Sequence, residues 1–383
     1  MESTGLVVVG SGPAGVSAAD AFRRHNPSDP IRIVTDDPAL PYARPPLSKE
    51  FLRGDAALAD TELHPAAWFD ERSIELVRAV GVDAIDVAGQ QLTVGGKHYP
   101  YRWLVLACGA KPSPLPVPGG ATALLLRSLA DAQSLREAAV HAASAVVIGA
   151  GFIGCEAAAS LAMRGVTTTL VAPDPVPQAK RLGDDAGERI TRLLRDTGVN
   201  YVGSVSVNGL ADGTVRLDDG STIECDLVVA ATGVKPQSAL ASAAGIETSD
   251  GRIVVDAQMR TSVDNVYAAG DCALAYNRLA GRPVAVEHWQ DAVDHGEIAG
   301  AGAAGQTREW DAVPGFWTTI GEATLKYHAW GDGFDTARLV DHGDGFTVWY
   351  ERDRATVGVL TLEADEDYDR GEELIQRKNP IPL

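Results

Sequence analysis

Leu6-Val7-Val8-Val9-Gly10-Ser11-Gly12-Pro13-Ala14-Gly15 joins an apolar run to the start of a helix through a glycine-rich turn. Gly10 permits the tight turn. Gly12 lets the backbone approach a pyrophosphate, and Gly15 lets the new helix pack closely on the strand. An anion held there rests on the free N–H groups and the positive dipole end of that helix. A lone G-x-G-x-x-G is weak evidence, but this one follows a strand run and precedes residues 16–24, which read as a helix.

Working outward, Ile31-Arg32-Ile33-Val34 is a short β-branched strand, and Thr35-Asp36-Asp37 follows it. Asp36 stands at the distance where a carboxylate hydrogen-bonds a ribose hydroxyl. The competing reading is that Asp36 and Asp37 only open a turn before Pro38.

A second unit begins at Ala145, with Val146-Val147-Ile148 as strand, Gly149-Ala150-Gly151-Phe152-Ile153-Gly154 as fingerprint, 155–164 as helix and 167–171 as the next strand. Two such units imply two nucleotide cofactors in separate domains, and the natural reason to hold two is to pass a hydride between them. The second unit has Ala172 where an acidic residue would follow its strand, then Pro173 and Asp174. Asp174 can substitute, or Lys180 and Arg181 can meet a 2′-phosphate, so the choice between NADH and NADPH stays open.

The strand Leu104-Val105-Leu106 runs through Ala107-Cys108 into Gly109-Ala110-Lys111-Pro112, and Leu227-Val228-Val229-Ala230-Ala231-Thr232-Gly233-Val234-Lys235-Pro236 repeats that pattern. These matching stretches read as the two crossings by which the chain leaves the first domain and returns. The expected organisation is a first domain in two segments (1–112 and 233–308), a second nucleotide domain at 113–232, and a small mixed domain at 309–383.

The chain has 383 residues, enough for two or three domains. Its 45% hydrophobic and 22% charged residues suit a globular protein. A net charge of −19 argues against a nucleic-acid partner. Seven of the eleven residues at 363–373 are acidic, which reads as a solvated face or a mobile tail. No basic leader or small-residue cleavage site follows Met1, so a cytoplasmic setting is expected. The longest apolar stretch, 138–163, contains His141, Glu156 and a glycine turn, so strand, turn and helix explain it better than a membrane span. Cys108, Cys155, Cys225 and Cys272 form no C-x-x-C pair, which argues against disulfide-relay chemistry and a zinc site and leaves each as a small buried residue; no metal is expected.

Pro41-Tyr42-Ala43-Arg44-Pro45-Pro46-Leu47-Ser48-Lys49 is stiffened by its prolines, so Arg44 and Lys49 are presented at fixed places. Arg44 suits a pyrophosphate through its planar fork, and Lys49 is a compact cation that can lie by an electron-rich ring; both can equally be exposed loop charges. Gly270-Asp271 ends the strand at 265–269 and suits a polyol chain, with a helix N-cap as the competing role for Asp271.

These residues resemble the two-dinucleotide-fold flavoprotein reductases, and within them the branch of ferredoxin reductases of oxygenase systems, rubredoxin reductases and apoptosis-inducing factor. The P-Y-x-R-P-P-L-S-K stretch is the most specific element. The disulfide reductases of the wider group carry redox cysteines in the matching region, where this sequence has none. The resemblance implies an α/β fold with two Rossmann-like domains of glutathione-reductase type and a small C-terminal α+β domain. It implies FAD at Gly10, Gly12, Pro13, Ala14, Gly15, Asp36, Arg44, Ala107, Gly109, Gly270 and Asp271. NADH or NADPH is implied at Gly149, Gly151, Phe152, Ile153, Gly154 and Gly233. Lys49 is then expected near the flavin N5, paired with Glu156 as the catalytic pair. Glu287, His288 and Trp289 are expected to close over the pyrimidine end of the ring, and Trp317 of the Phe316-Trp317 pair to cover its other face. The implied activity is hydride transfer from NAD(P)H to FAD, then electron transfer to a ferredoxin-like iron-sulfur protein. A quinone, dioxygen or another small acceptor is the alternative, as is a slow redox sensor. The oligomeric state is open, a homodimer included. The family usually continues F-W with Ser-Asp, whereas Thr318-Thr319 stands here.

Overall fold

The computed structural model describes residues 4–382. The chain forms two compact units: Met1–Ala43, Glu62–Lys111 and Lys235–Pro314 make one, and Arg44–Thr61, Pro112–Val234 and Gly315–Leu383 make the other.

The first unit is built on a five-stranded parallel sheet, in the order Val266–Ala268, Trp103–Leu106, Leu6–Val9, Ile31–Val34 and Ile74–Val77. All four residues of the central Leu6–Val9 strand are buried, which is why its run is apolar throughout rather than alternating. Helix Pro13–His25 packs against helix Trp289–Ala303 across small residues. A Cβ on Gly296 would stand 2.2 Å from the Ala14 carbonyl oxygen, and one on Gly300 only 2.0 Å from that of Ala18, so glycine sets this closeness. The meander Val82–Asp86, Gln91–Val94 and Lys97–Pro100 and a four-stranded sheet over 248–285 complete the unit.

In the second unit a four-stranded parallel sheet runs Asn200–Val202, Thr167–Val171, Ser144–Ile148, Leu227–Ala230. A three-stranded meander over 207–224 adds to it. Five antiparallel strands over 315–362 form a separate sheet in this unit, and helix Asp365–Arg377 packs on it. The acidic run is therefore the solvated face of a helix and not a mobile tail. Asp365, Glu366 and Asp367 fill its first turn, where the helix dipole favours negative charge, while Gly371 and Ile375 are buried.

The sequence reading contains no helix between 118 and 144, yet Leu129–His141 is one. Ser128 and Asp131 form a capping box at its start. Among the described residues no helix is long and apolar enough to cross a membrane. None of their His, Cys, Asp and Glu side chains form a group of three or more that could hold a metal ion.

Candidate functional site

In the first unit Gly10 has φ +108°, a conformation that L side chains rarely adopt, and a Cβ there would lie 2.2 Å from the Ala107 carbonyl oxygen. A Cβ on Gly15 would lie 2.0 Å from the Gly10 oxygen. Gly12 caps helix Pro13–His25 without any side-chain hydrogen bond, and Pro13 opens it, so no side chain covers the first amides. Asp36 is exposed just beyond strand Ile31–Val34, and beside it Ser11 Oγ donates to Thr35 Oγ1 at 3.1 Å. Such a cradle with a carboxylate at the next strand end fits a dinucleotide. Ala107, Gly109, Gly270 and Asp271 follow the two adjoining strands, with Gly109 at φ +63° and Gly270 at φ +76°.

Asp271 lies inside the short turn Gly270–Cys272, whose N-cap is Ala269, while helix Trp289–Ala303 is capped by His288. The helix N-cap role weighed for Asp271 is thus set aside. Glu287 accepts a hydrogen bond from Arg252 at 2.6 Å, and His288 Nδ1 lies 3.0 Å from Asp291 Oδ2.

The second unit repeats the turn. Gly149 has φ +104° with a Cβ position 2.4 Å from the Ala231 oxygen, and a Cβ on Gly154 would stand 1.9 Å from the Gly149 oxygen. Gly151 caps helix Phe152–Met163, again without a side-chain cap, and Gly233 follows the neighbouring strand at φ +94°. This turn also fits a nucleotide pyrophosphate. Ala172, the first residue beyond strand Thr167–Val171, is buried and supplies no carboxylate there. Of the groups weighed in its place, Lys180 pairs with Asp174 at 3.5 Å, and the Arg181 guanidinium lies over the Phe152 and Phe316 rings.

Glu156 sits two residues beyond Gly154, on the buried side of helix Phe152–Met163. The segment Arg44–Thr61 reaches it because its backbone is tethered to the same unit. Ser160 Oγ donates to the Ser48 carbonyl at 2.7 Å, Arg164 to Leu52 at 2.7 Å and Arg136 to Ala56 at 3.0 Å. Arg44 caps the short turn Pro45–Ser48 and Lys49 ends it. Lys49 Nζ then lies 3.0 Å from Glu156 Oε2, and both residues are only 5% exposed. Two opposite charges this deep are costly unless paired, at several kcal/mol per ion.

The family model for pyridine nucleotide-disulphide oxidoreductases matches residues 4–296. The chain belongs to that family. Rhodocoxin reductase of Rhodococcus erythropolis is 34% identical to this oxidoreductase over 98% of the chain and 90% of its own length. Rubredoxin-NAD(+) reductase of Pseudomonas putida is 33% identical over 84% of the chain and 85% of its own. The crystal structure of the covalent putidaredoxin reductase–putidaredoxin complex matches with a TM-score of 0.93 at 30% identity, covering 99% of this chain and 94% of that one. These similarities bear out the α/β fold class and the ferredoxin-reductase branch.

Trp317 of the oxidoreductase is 43% exposed, while its neighbour Phe316 packs edge-on against Phe152 at 4.7 Å. Three features of the two units escape a reading by motif. Ser48 and Thr318 both donate to Glu156, although Ser48 adjoins Lys49 in the quoted motif and Thr318 falls where the usual F-W-S-D pattern changes. Cys272 Sγ donates to the carbonyls of Leu106 and Ala269 at 3.4 Å each, so it is not an apolar filler, and Cys108 is only half-buried. The neighbouring Cys272 thiol and burial push the Cys108 thiol well up. His295 is fully buried with no hydrogen-bond partner on either ring nitrogen, edge-on to Trp310 at 4.4 Å. Burial lowers it to about 4, opposed by the carboxylates of Asp291 and Asp271.

Proposed function

We propose that the chain is an NADH-dependent flavoprotein reductase that passes a hydride from the nicotinamide to FAD and then electrons, one at a time, to a small ferredoxin-like redox protein. The observation that carries this reading is the pairing of Lys49 with Glu156 in a chain that also has two nucleotide cradles of matching geometry. When bound, FAD supplies the redox chemistry, accepting two electrons as hydride and releasing them singly.

The protein's own work is binding and alignment. Gly10, Gly12 and Gly15 admit the FAD pyrophosphate, with Asp36 on its ribose, Arg44 on its phosphates and Asp271 on its ribityl hydroxyls. Gly149, Gly151 and Gly154 admit the pyrophosphate of the coenzyme. Lys49, backed by Glu156, orients the reacting rings, and such alignment supplies a large share of a barrier reduction. NADH is favoured by the chain's net charge of −19, which disfavours a further phosphate, and by Arg181, which already lies over the Phe152 and Phe316 rings. The relatives named for rhodocoxin, rubredoxin and putidaredoxin support a small redox protein as acceptor.

Anaerobic mixing of the flavin-loaded protein with NADH, and separately with NADPH, tests the reading by the flavin's visible band. Fast bleaching by NADH, followed by reoxidation when a ferredoxin is added, is the expected result. A flavin that stays oxidised with both nucleotides would overturn it. Reduced flavin that persists after ferredoxin is added would favour the sensor.

A further inference from the structure

Glu156 receives four hydrogen bonds, two on each carboxylate oxygen. Oε2 accepts from Ser48 Oγ at 2.5 Å and from Lys49 Nζ at 3.0 Å. Oε1 accepts from Thr318 Oγ1 at 2.7 Å and from the Thr319 backbone N–H at 3.3 Å. An ionised carboxylate offers about four lone-pair sites, so this one has none to spare. The donors come from two separate stretches of the second unit, 48–49 and 318–319, and Ser48, Lys49, Glu156 and Thr318 are all buried.

The donor sets of the two charged groups are unequal. Glu156 is saturated by the protein itself. The Lys49 ammonium carries three N–H donors and gives one of them to Glu156, which is its one hydrogen-bond acceptor among the described residues. Two donors remain to meet acceptors on a ligand. A carboxylate bonded to Lys49 alone could rotate and take the ammonium with it. Fixing Oε1 through Thr318, and sharing Oε2 with Ser48, removes that freedom before any ligand arrives.

We infer that Thr318 and Ser48 are positioning residues for hydride transfer: they lock the Glu156 carboxylate, and through it hold Lys49 with its remaining donors turned to the ligand. Glu156 is then itself a positioning residue, and Lys49 is the member of the pair that touches a cofactor. The inference rests on the hydride-transfer reading above. It also accounts for the departure at 318, since threonine keeps the hydroxyl that serine carries in the usual pattern while adding a methyl group that buries well.

The test is single-turnover reduction of the flavin-loaded protein by NADH in four variants: Thr318→Val, Thr318→Ser, Ser48→Ala and Glu156→Gln, with the double variant Thr318→Val/Glu156→Gln. Valine keeps the shape and removes the donor. Thr318→Val is expected to slow bleaching of the flavin band about tenfold at saturating NADH, with the concentration for half-maximal rate within about twofold of wild type. Thr318→Ser restores the rate to within about threefold, and Ser48→Ala slows it as Thr318→Val does. In the Glu156→Gln background Thr318→Val adds less than about twofold, because both act on one carboxylate. Wild-type rates in both Thr318→Val and Ser48→Ala would overturn the inference, as would a full additional tenfold in the double variant. If Thr318→Val does not fold, Ser48→Ala carries the same test from the other oxygen. Should NADH fail to bleach the wild-type flavin at all, the hydride-transfer reading falls first and this one with it.

Discussion

The two glycine turns of this protein are nearly the same object and do different work. Gly10 and Gly149 differ in φ by a few degrees, and each faces a carbonyl oxygen that a Cβ would strike, at 2.2 and 2.4 Å. Gly15 and Gly154 close on the first glycine's oxygen at 2.0 and 1.9 Å. What differs is the flank. Beyond its second strand the first turn has the buried Thr35 and then an exposed Asp36, with Ser17 two residues past its last glycine; the second has the buried Ala172 and then an exposed Pro173, with the buried Glu156 in the place of Ser17. The turn geometry is a generic fit to a pyrophosphate. Selectivity and chemistry are carried by the side chains that the turn leaves free to vary.

Swapping the first glycine of each turn breaks the likeness most severely. Gly10→Ala must hold a left-handed backbone, at about 1–3 kcal/mol, and push a methyl group into the Ala107 carbonyl. The expected result is a colourless protein, read from the visible absorbance after purification. Gly149→Ala is expected to keep its flavin and lose NADH-driven bleaching. A Gly149→Ala protein that is also colourless would mean that the cradles do not act separately.

Acid sharpens the comparison next. Among the described residues His295 is the one buried histidine without a hydrogen-bond partner on either ring nitrogen, and it belongs to the first unit. Its folded value of about 4 lies below the ordinary 6.5, so the unfolded chain takes up the proton first. Its contribution to stability is complete above about pH 6.5 and is lost as pH falls toward 4, by about 3 kcal/mol. His295→Leu is expected to flatten the fall in denaturant midpoint between pH 6.5 and 4.5. An unchanged pH profile would contradict the burial account.

Lys49→Ala is expected to leave the flavin bound and slow its reduction at least tenfold, about 1.4 kcal/mol of barrier, in stopped-flow mixing with NADH. A smaller slowing would count against the role given to Lys49. The smallest effect is expected at the ribose positions. Ala172→Glu puts a carboxylate directly after the second strand of the second turn, and should shift the NADH to NADPH rate ratio severalfold toward NADH. A shift toward NADPH would place the ribose elsewhere.

Much of the fold was legible because its signals are local. Val7-Val8-Val9 and Val146-Val147-Ile148 are apolar throughout since both faces of a parallel strand are covered, and each runs into glycines that few other residues could replace. The acidic run was legible as a solvated face, but only the apolar positions Gly371 and Ile375 reveal that it is a packed helix. Leu129–His141 could have been read from its Ser128 and Asp131 cap, though its weak apolar periodicity hides it.

The sequence by itself determined the fold class, the two nucleotide turns and the candidate Lys49, because glycine at a left-handed turn and proline in a stiff loop act on their own backbone; Glu156 as the partner of Lys49 came from the family resemblance. Tertiary structure alone decided that Ser48, Thr318 and the Thr319 amide join Lys49 on Glu156, and that His295 is left without a hydrogen-bond partner on either ring nitrogen. Hydrogen bonds between residues more than a hundred positions apart are set by how helices and strands pack, and nothing in the spacing of those residues records which donors will surround a given carboxylate.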